Sequence, residues 1–189
     1  MKIQLRLNSL ITLAALAGFA ALLAGQNTSN PKMDEGAKKM MKSADTTFAM
    51  KAAQGGMAEV KLGKLAAEKA SNPDVKAFGQ QMVDDHSKAN DDLKETAAKE
   101  NMTLPTDVNA KQQAMYNRLE KLSGAAFDRA YVNDMVKDHE EDVKEFQKEA
   151  NSGKDAQIKE FASRTLPVIQ GHLDKIKGIQ SKMGAGSSM

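Results

Sequence analysis

Residues 72–100 read NPDVKAFGQQMVDDHSKANDDLKETAAKE, and this stretch decides the fold class. Asn72 is a good helix N-cap, and Pro73 suits the first helical position, where its missing N–H is no loss. From there Val75, Phe78, Met82, His86, Ala89, Leu93 and Ala97 recur at steps of three and four. That spacing lines one face of a helix; a strand would repeat every second residue. The spacing predicts a helix over about residues 73–100.

The same pattern recurs on both sides. Phe48, Ala52, Gly55, Glu59, Leu62 and Ala66 stripe a helix expected over about 45–70. Phe127, Tyr131, Met135, His139, Val143, Phe146 and Ala150 stripe one over about 125–150, closed by Asn151-Ser152-Gly153. Ile158, Phe161, Thr165, Val168, His172, Ile176 and Ile179 stripe a last helix over about 154–183, which Pro167 should kink or split. No run of alternating β-branched residues competes with these assignments. Between the second and third long helices lie about 22 residues, broken at Pro105, with a short helical piece over 109–122. Bundle neighbours are usually joined by two to eight residues, so this insert fits a crossover that carries the chain back along the bundle. The expected fold is therefore all-α: a ferritin-like four-helix bundle over 44–183, with a long crossover between helices 2 and 3. A 53-residue shift lays Phe78 on Tyr131, Met82 on Met135, Asp85 on Asp138 and His86 on His139. On that basis the second and third long helices read as equivalents of one another.

The ends read differently. Residues 1–25, MKIQLRLNSLITLAALAGFAALLAG, carry Lys2 and Arg6 and then an apolar run of about 15 residues with no acid before Asp34. This is the pattern of a signal peptide; about 20 apolar residues would be needed to span a bilayer. Gln26 stands where a lipoprotein would need Cys. Residues 26–43 read as a flexible linker and 184–189 as a disordered tail. The chain has 189 residues and no Cys, so disulfides, thiolate nucleophiles and iron–sulfur clusters are excluded. Its formal charge of +2 falls to neutral without the leader, too weak a field to grip nucleic acid. The expected product is exported and has no membrane span after leader cleavage.

The phrases AAQGGMAEVKLGKLA, VKAFGQQMVDDHSKAN and GAAFDRAYVNDMVKDHEEDVKEF resemble an exported bacterial family catalogued as a domain of unknown function among the ferritin-like bundles. Its marker, Met-Val-x-Asp-His, stands at 82–86 and again at 135–139, followed by Leu166-Pro167 and His172-Leu173. The resemblance implies the fold and an envelope location, in the periplasm or at the outer membrane, without an established activity. A looser likeness leads to a sister family of exported bundles with Met-x-x-x-His-His motifs that is associated with copper. Here each copy holds a single His preceded by Asp, a departure that counts against copper.

One constellation carries chemistry. His86, His139 and His172 each fall near mid-stripe on a different long helix, and Glu59 takes that place on the fourth. With Met82 and Met135 one turn before two of them, this is a candidate metal site, suited to copper or zinc. The competing readings are a hydrogen-bonded layer that fixes helix register, or histidines at the stripe edge in water. A ferritin-type di-iron centre needs Glu three residues before His. Those positions hold Val83, Val136 and Ile169, so that centre is excluded. Asp85 and Asp138 are expected to face solvent or to support the site from behind, and the acidic run 138–142 to be a solvated face. With no catalytic motif, the expected role is a non-enzymatic envelope module, in stress tolerance or interaction with an envelope protein partner. The alternative is a periplasmic metal-binding protein.

Overall fold

The computed structural model describes residues 31–185, and side chains over 44–184. The leader expected over 1–25 lies outside the described residues. The described chain is all helical, with α1 (Pro31–Lys69), α2 (Pro73–Lys99), α3 (Ala110–Glu120), α4 (Gly124–Ser152) and α5 (Ala156–Ala185), and no strand among the described residues. None of these helices is long and apolar enough to cross a membrane.

Two boundaries differ from the sequence reading. The stretch expected as a linker to residue 43 is helical from Pro31 onward. Its Lys, Met, Ala and Glu are strong helix formers, and the proline sits where a helix tolerates it. Pro167 does not split the last helix: α5 runs unbroken past it, and past Gly184, where a tail was expected. The cost of the missing N–H is met by packing on both sides, since Phe161, Ala162 and Ile169 are all buried in one cluster. The face also shifts there, burying Ile169 and leaving Val168 exposed.

α1 packs on α2 and α4 on α5, each pair joined by a short turn, and the hairpins meet through α2–α5 and α1–α4. Phe78 of α2 meets Tyr131 near the start of α4, whereas Leu93 and Phe146, further along each helix, share the cluster at the other end. α2 and α4 therefore run parallel, on opposite corners. The connection between them passes Met102 and Leu104 at one end and Met115, Tyr116 and Leu122 at the other. It thus travels the length of the packed helices, as a crossover must. α3 is started by a reciprocal cap between Asn109 and Gln112, with bonds of 2.9 and 3.0 Å. It is held to α1 by Lys61, which donates to Gln113 at 2.8 Å, and it buries Leu119 completely. α1 and α2 touch backbone to backbone at Gly63 and Gly79, where a Cβ on Gly63 would come within 2.6 Å of the Gly79 carbonyl.

The ends are tied by two buried aspartates. Asp45, near the N-terminal end of the described α1 side chains, accepts from the backbone N–H groups of Lys154 and Asp155 at 3.1 and 2.6 Å, just before α5. Asp128, at the start of α4, accepts from the N–H groups of Ser71 and Asn72 at 3.1 and 2.9 Å, just before α2, and from the Ser71 hydroxyl. Asn72 and Asp155 in turn cap their own helices. One shift of 83 residues carries Asp45 to Asp128, Phe48 to Tyr131, Asn72 to Asp155, Val75 to Ile158 and Phe78 to Phe161. The hairpins are related with α1 matching α4 and α2 matching α5. The 53-residue echo, which equated α2 with α4, paired the second helix of one hairpin with the first of the other.

Each aspartate satisfies otherwise orphaned loop donors. Asp45→Ala and Asp128→Ala are each expected to lower stability in urea unfolding by about 1–3 kcal/mol. The sites lie about 40 Å apart along the helices, so the double variant should lose close to the sum. A strongly non-additive double variant would mean the two ends do not act independently.

Candidate metal centre

The core is two apolar clusters with a polar layer between them. Leu62, Phe78, Met82, Phe127, Tyr131, Met135 and Ile176 belong to one cluster. Phe48, Leu93, Phe146, Phe161 and Ile169 belong to the other. On each long helix the residue between the clusters is ionisable: Glu59 on α1, His86 on α2, His139 on α4 and His172 on α5. All four are buried, Glu59 and His139 completely. The mid-stripe positions thus meet inside the protein, because antiparallel hairpins of matched length bring mid-helix residues to one height.

The three imidazole rings are mutual neighbours with centroids 5.3–6.1 Å apart, His139 standing edge-on to each of the other two and His86 tilted by 48° to His172. Each ring offers one nitrogen, and these three nitrogens lie within 4.8 Å of one another. The far side of two rings is tied. His139 Nδ1 lies 2.9 Å from the Met135 carbonyl, which can only accept, so that nitrogen carries the proton. His172 Nε2 lies 2.9 Å from Asp85 Oδ2, and donates to it on the same reasoning. The remaining nitrogens, His139 Nε2 and His172 Nδ1, are buried with no hydrogen-bond partner. His86 Nε2 approaches Glu59 Oε2 at 2.6 Å, an ion-pair distance without the alignment of a hydrogen bond. Glu59 Oε1 lies 3.3 Å from His139 Nδ1.

Charge follows from this packing. Burial works to raise the Glu59 carboxyl, but His86 and then His139 overcome it and hold the group down at about 2. Burial works against a charged His86, yet Glu59 beside it raises the imidazole above its ordinary value. Burial lowers His172, and the Asp85 hydrogen bond only partly offsets that. Burial, and after it the Glu59 charge, push Asp138 up to about 7 and Asp142 well above the usual carboxylate range.

All four candidate ligands, Glu59, His86, His139 and His172, come together. Met82 and Met135 are fully buried one turn away in the apolar cluster, and Met135 takes part through its carbonyl. Asp85 acts from behind His172, one of its two expected places. The run 138–142 is not simply a solvated face: Asp138 and Asp142 are half-buried, and each places an oxygen within 4.8 Å of a Glu59 oxygen. Their spacing of four on one helix was the available signal. A further one is the 83-residue shift, which lays Glu59 on Asp142.

A family model described as domain of unknown function (DUF4142) matches residues 20–179. A comparison with the curated proteins finds no match. Among solved structures the chain is similar to a DUF305 fragment from Deinococcus radiodurans, with a TM-score of 0.65 at 10% identity, covering 74% of this chain and 96% of that one. It is also similar to a DUF305 protein from Streptomyces coelicolor thought to be secreted, with a TM-score of 0.63 at 12% identity, covering 75% and 94%. A conserved hypothetical protein from Mycobacterium tuberculosis gives 0.59 at 16% identity, covering 75% and 93%. At these identities the likeness shows the helical fold alone.

In the chelated chain, ring signals followed by NMR should separate. His86 should titrate above its ordinary 6.5 and His172 below it, and Glu59→Gln should abolish the rise at His86. The linked stability follows in sign. The His86 contribution is complete below 6.5 and is lost as pH rises through its raised value. The His172 contribution is complete above 6.5 and is lost as pH falls through its lowered value. The Glu59 contribution is complete above 4.5 and is lost as pH falls toward about 2. His86 and His172 titrating together near 6.5 would contradict the buried layer.

Proposed function

We propose that this chain, which belongs to the DUF4142 family, is an exported ferritin-like four-helix bundle that binds a transition-metal ion in its core. The observation that carries the reading is the set of three buried imidazole nitrogens facing one another from three helices. Two of the rings have their opposite nitrogen occupied by an acceptor. A hydrogen bond on the outer nitrogen fixes the tautomer and leaves the inner lone pair for a metal, the usual support of a histidine ligand. Buried polar atoms without partners cost about 1–3 kcal/mol each, and a cation satisfies several at once.

The donors suit zinc or copper. The three imidazoles, whose nitrogens gather within 4.8 Å, together with the Glu59 carboxylate beside His86 would make a four-coordinate set of the kind that zinc takes at about 2.0–2.1 Å. Four protein ligands would close the site, which favours holding the ion over turning over a substrate. The ferritin-like assignment is supported by the two hairpins, the parallel α2 and α4, and the crossover along the helices. Export is supported by the leader pattern of residues 1–25 and by the similarity to a protein thought to be secreted. The reading makes the chain an envelope metal-binding module with no enzymatic step.

Metal analysis after purification without chelator or affinity metal should find about one zinc or copper ion per chain. A metal at 100 times its dissociation constant adds about 2.7 kcal/mol, a rise in melting temperature of roughly 5–10 °C for a domain of this size. His172→Ala should remove both the metal and the rise. A chain that melts alike with metal and with chelator would leave the polar layer as a device for helix register alone.

A further inference from the structure

The mechanism of metal holding uses one side of Glu59. The other side faces α4, where Asp138 and Asp142, four residues apart, lie on the same face. One oxygen from each of the three carboxylates lies within 4.8 Å of the others. Three carboxyls gathered this closely repel one another, and exposed acidic clusters usually splay apart into water. This cluster does not: Glu59 has no exposure at all, and neither of its oxygens is in a hydrogen bond. Glu59 Oε2 is paired with His86 at 2.6 Å, but Oε1 lies 3.3 Å from a His139 nitrogen already committed to the Met135 carbonyl. A fully buried carboxylate oxygen left without a donor beside two other carboxyls is a feature that a cation explains and that solvation does not.

Space and access agree. A cavity of about 20 Å³ lies against Glu59, His86, Asn90 and Asp142, enough for one water or ion. On the α3 side a cleft of about 190 Å³ reaches Asp138 and Asp142, with Glu141 and Glu145 along its wall. Asp142 borders both spaces, so a cation entering under α3 meets carboxylates before it meets imidazoles. Of the two lysines on that wall, Lys51 is held by Glu145 at 2.5 Å, and Lys111 acts on Asp138, a charge that an entering cation would have to displace.

We propose a second cation position in this protein, made of carboxylates only, in which Asp138 and Asp142 of α4 join Glu59 of α1 to hold a hard divalent cation of the manganese type. The donors decide the class: an all-oxygen set suits magnesium, calcium and manganese, whereas the imidazole set beside it suits zinc and copper. The two positions share Glu59, and to that extent this inference rests on the imidazole reading. The chain would then hold two unlike ions side by side, with the shared carboxylate between them.

Manganese is its own probe, because the bound ion loses the sharp EPR signal of the free ion. Chain carrying one equivalent of zinc is titrated with Mn²⁺. The expected result is about one Mn²⁺ bound per chain, with Asp138→Asn and Asp142→Asn each weakening it at least tenfold while the zinc content stays unchanged. Both variants keep the shape of the side chain and replace a half-buried carboxyl that burial and its neighbours disfavour as an anion, so folding should survive. A second readout needs no variant: the bound Mn²⁺ should show no directly coordinated nitrogen in pulsed EPR. Undiminished free Mn²⁺ in the parent chain, parent-like binding in both variants, or coordinated imidazole nitrogen would each overturn the proposal. A chain that takes Mn²⁺ but never retains zinc would keep this site and remove the imidazole one.

Discussion

A carboxylate with no contact with water sits at the centre of this protein, and the arrangement of the four long helices is built around it. Glu59 could not stay ionised in an apolar core on its own; the desolvation cost of a lone buried charge would protonate it instead. It stays ionised because three imidazoles from the other three helices surround it. That requirement runs in both directions. Each helix must deliver its ring at the same height, so a slip of one turn in any of them would strand a buried polar group against the apolar clusters on either side. The layer therefore specifies register more sharply than leucine-type packing, which tolerates shifts, can do.

What sets the height is found at the ends of the molecule. Asp45 is anchored to the turn before α5 and Asp128 to the turn before α2. Each hairpin thus grips the turn of the other, and the two grips lie at opposite ends of the helices. Sliding one hairpin along the other would break both sets of hydrogen bonds together. The Gly63–Gly79 contact fixes the remaining degree of freedom within the first hairpin, because only a missing Cβ lets the backbones approach so closely. Caps, glycines and the polar layer answer one question at three places along the bundle, which is the consistency expected of a sequence that specifies one structure.

Much of this was legible in the sequence because it depends on period. The stripes through Phe78, Met82 and His86, and through Tyr131, Met135 and His139, repeat at three and four, and these six residues are all buried. The four candidate ligands came from the same count. Whatever depends on a neighbouring helix was less legible. Asp85 lies off its own stripe, and only the position of α5 turns it into the partner of His172. Asp138 and Asp142 look like a solvated run until α1 brings Glu59 across from them. The hairpins were misaligned because the two Met-Val-x-Asp-His copies point to a 53-residue shift. The paired caps, polar residues with no hydrophobic signal, carry the shift of 83. Val168 and Ile169 are adjacent and both apolar, so sequence cannot choose between them; the path of α5 does.

The 83-residue correspondence also shows where the two hairpins differ. Under the 83-residue shift Glu59 meets Asp142, so each hairpin keeps a carboxylate at the same place on its first helix. The imidazoles do not follow that symmetry. His86 falls on Ile169, His172 on Ala89, and His139 on Gly56, a position with so little room that a Cβ would come within 2.1 Å of Asn90. A layer needed only to hold two like hairpins in register could be built from two like halves. Here the caps, the turns and the pairs Phe48/Tyr131 and Phe78/Phe161 follow the shift, whereas Phe127 falls on Ala44, Phe146 on Gly63, and none of the three imidazoles has a counterpart. Glu59 thus stands in two groups at once, paired with His86 and His139 and within 4.8 Å of oxygens of Asp138 and Asp142. Two unlike groups sharing one carboxylate is what the proposed pair of unlike ions would need, and register alone does not require it.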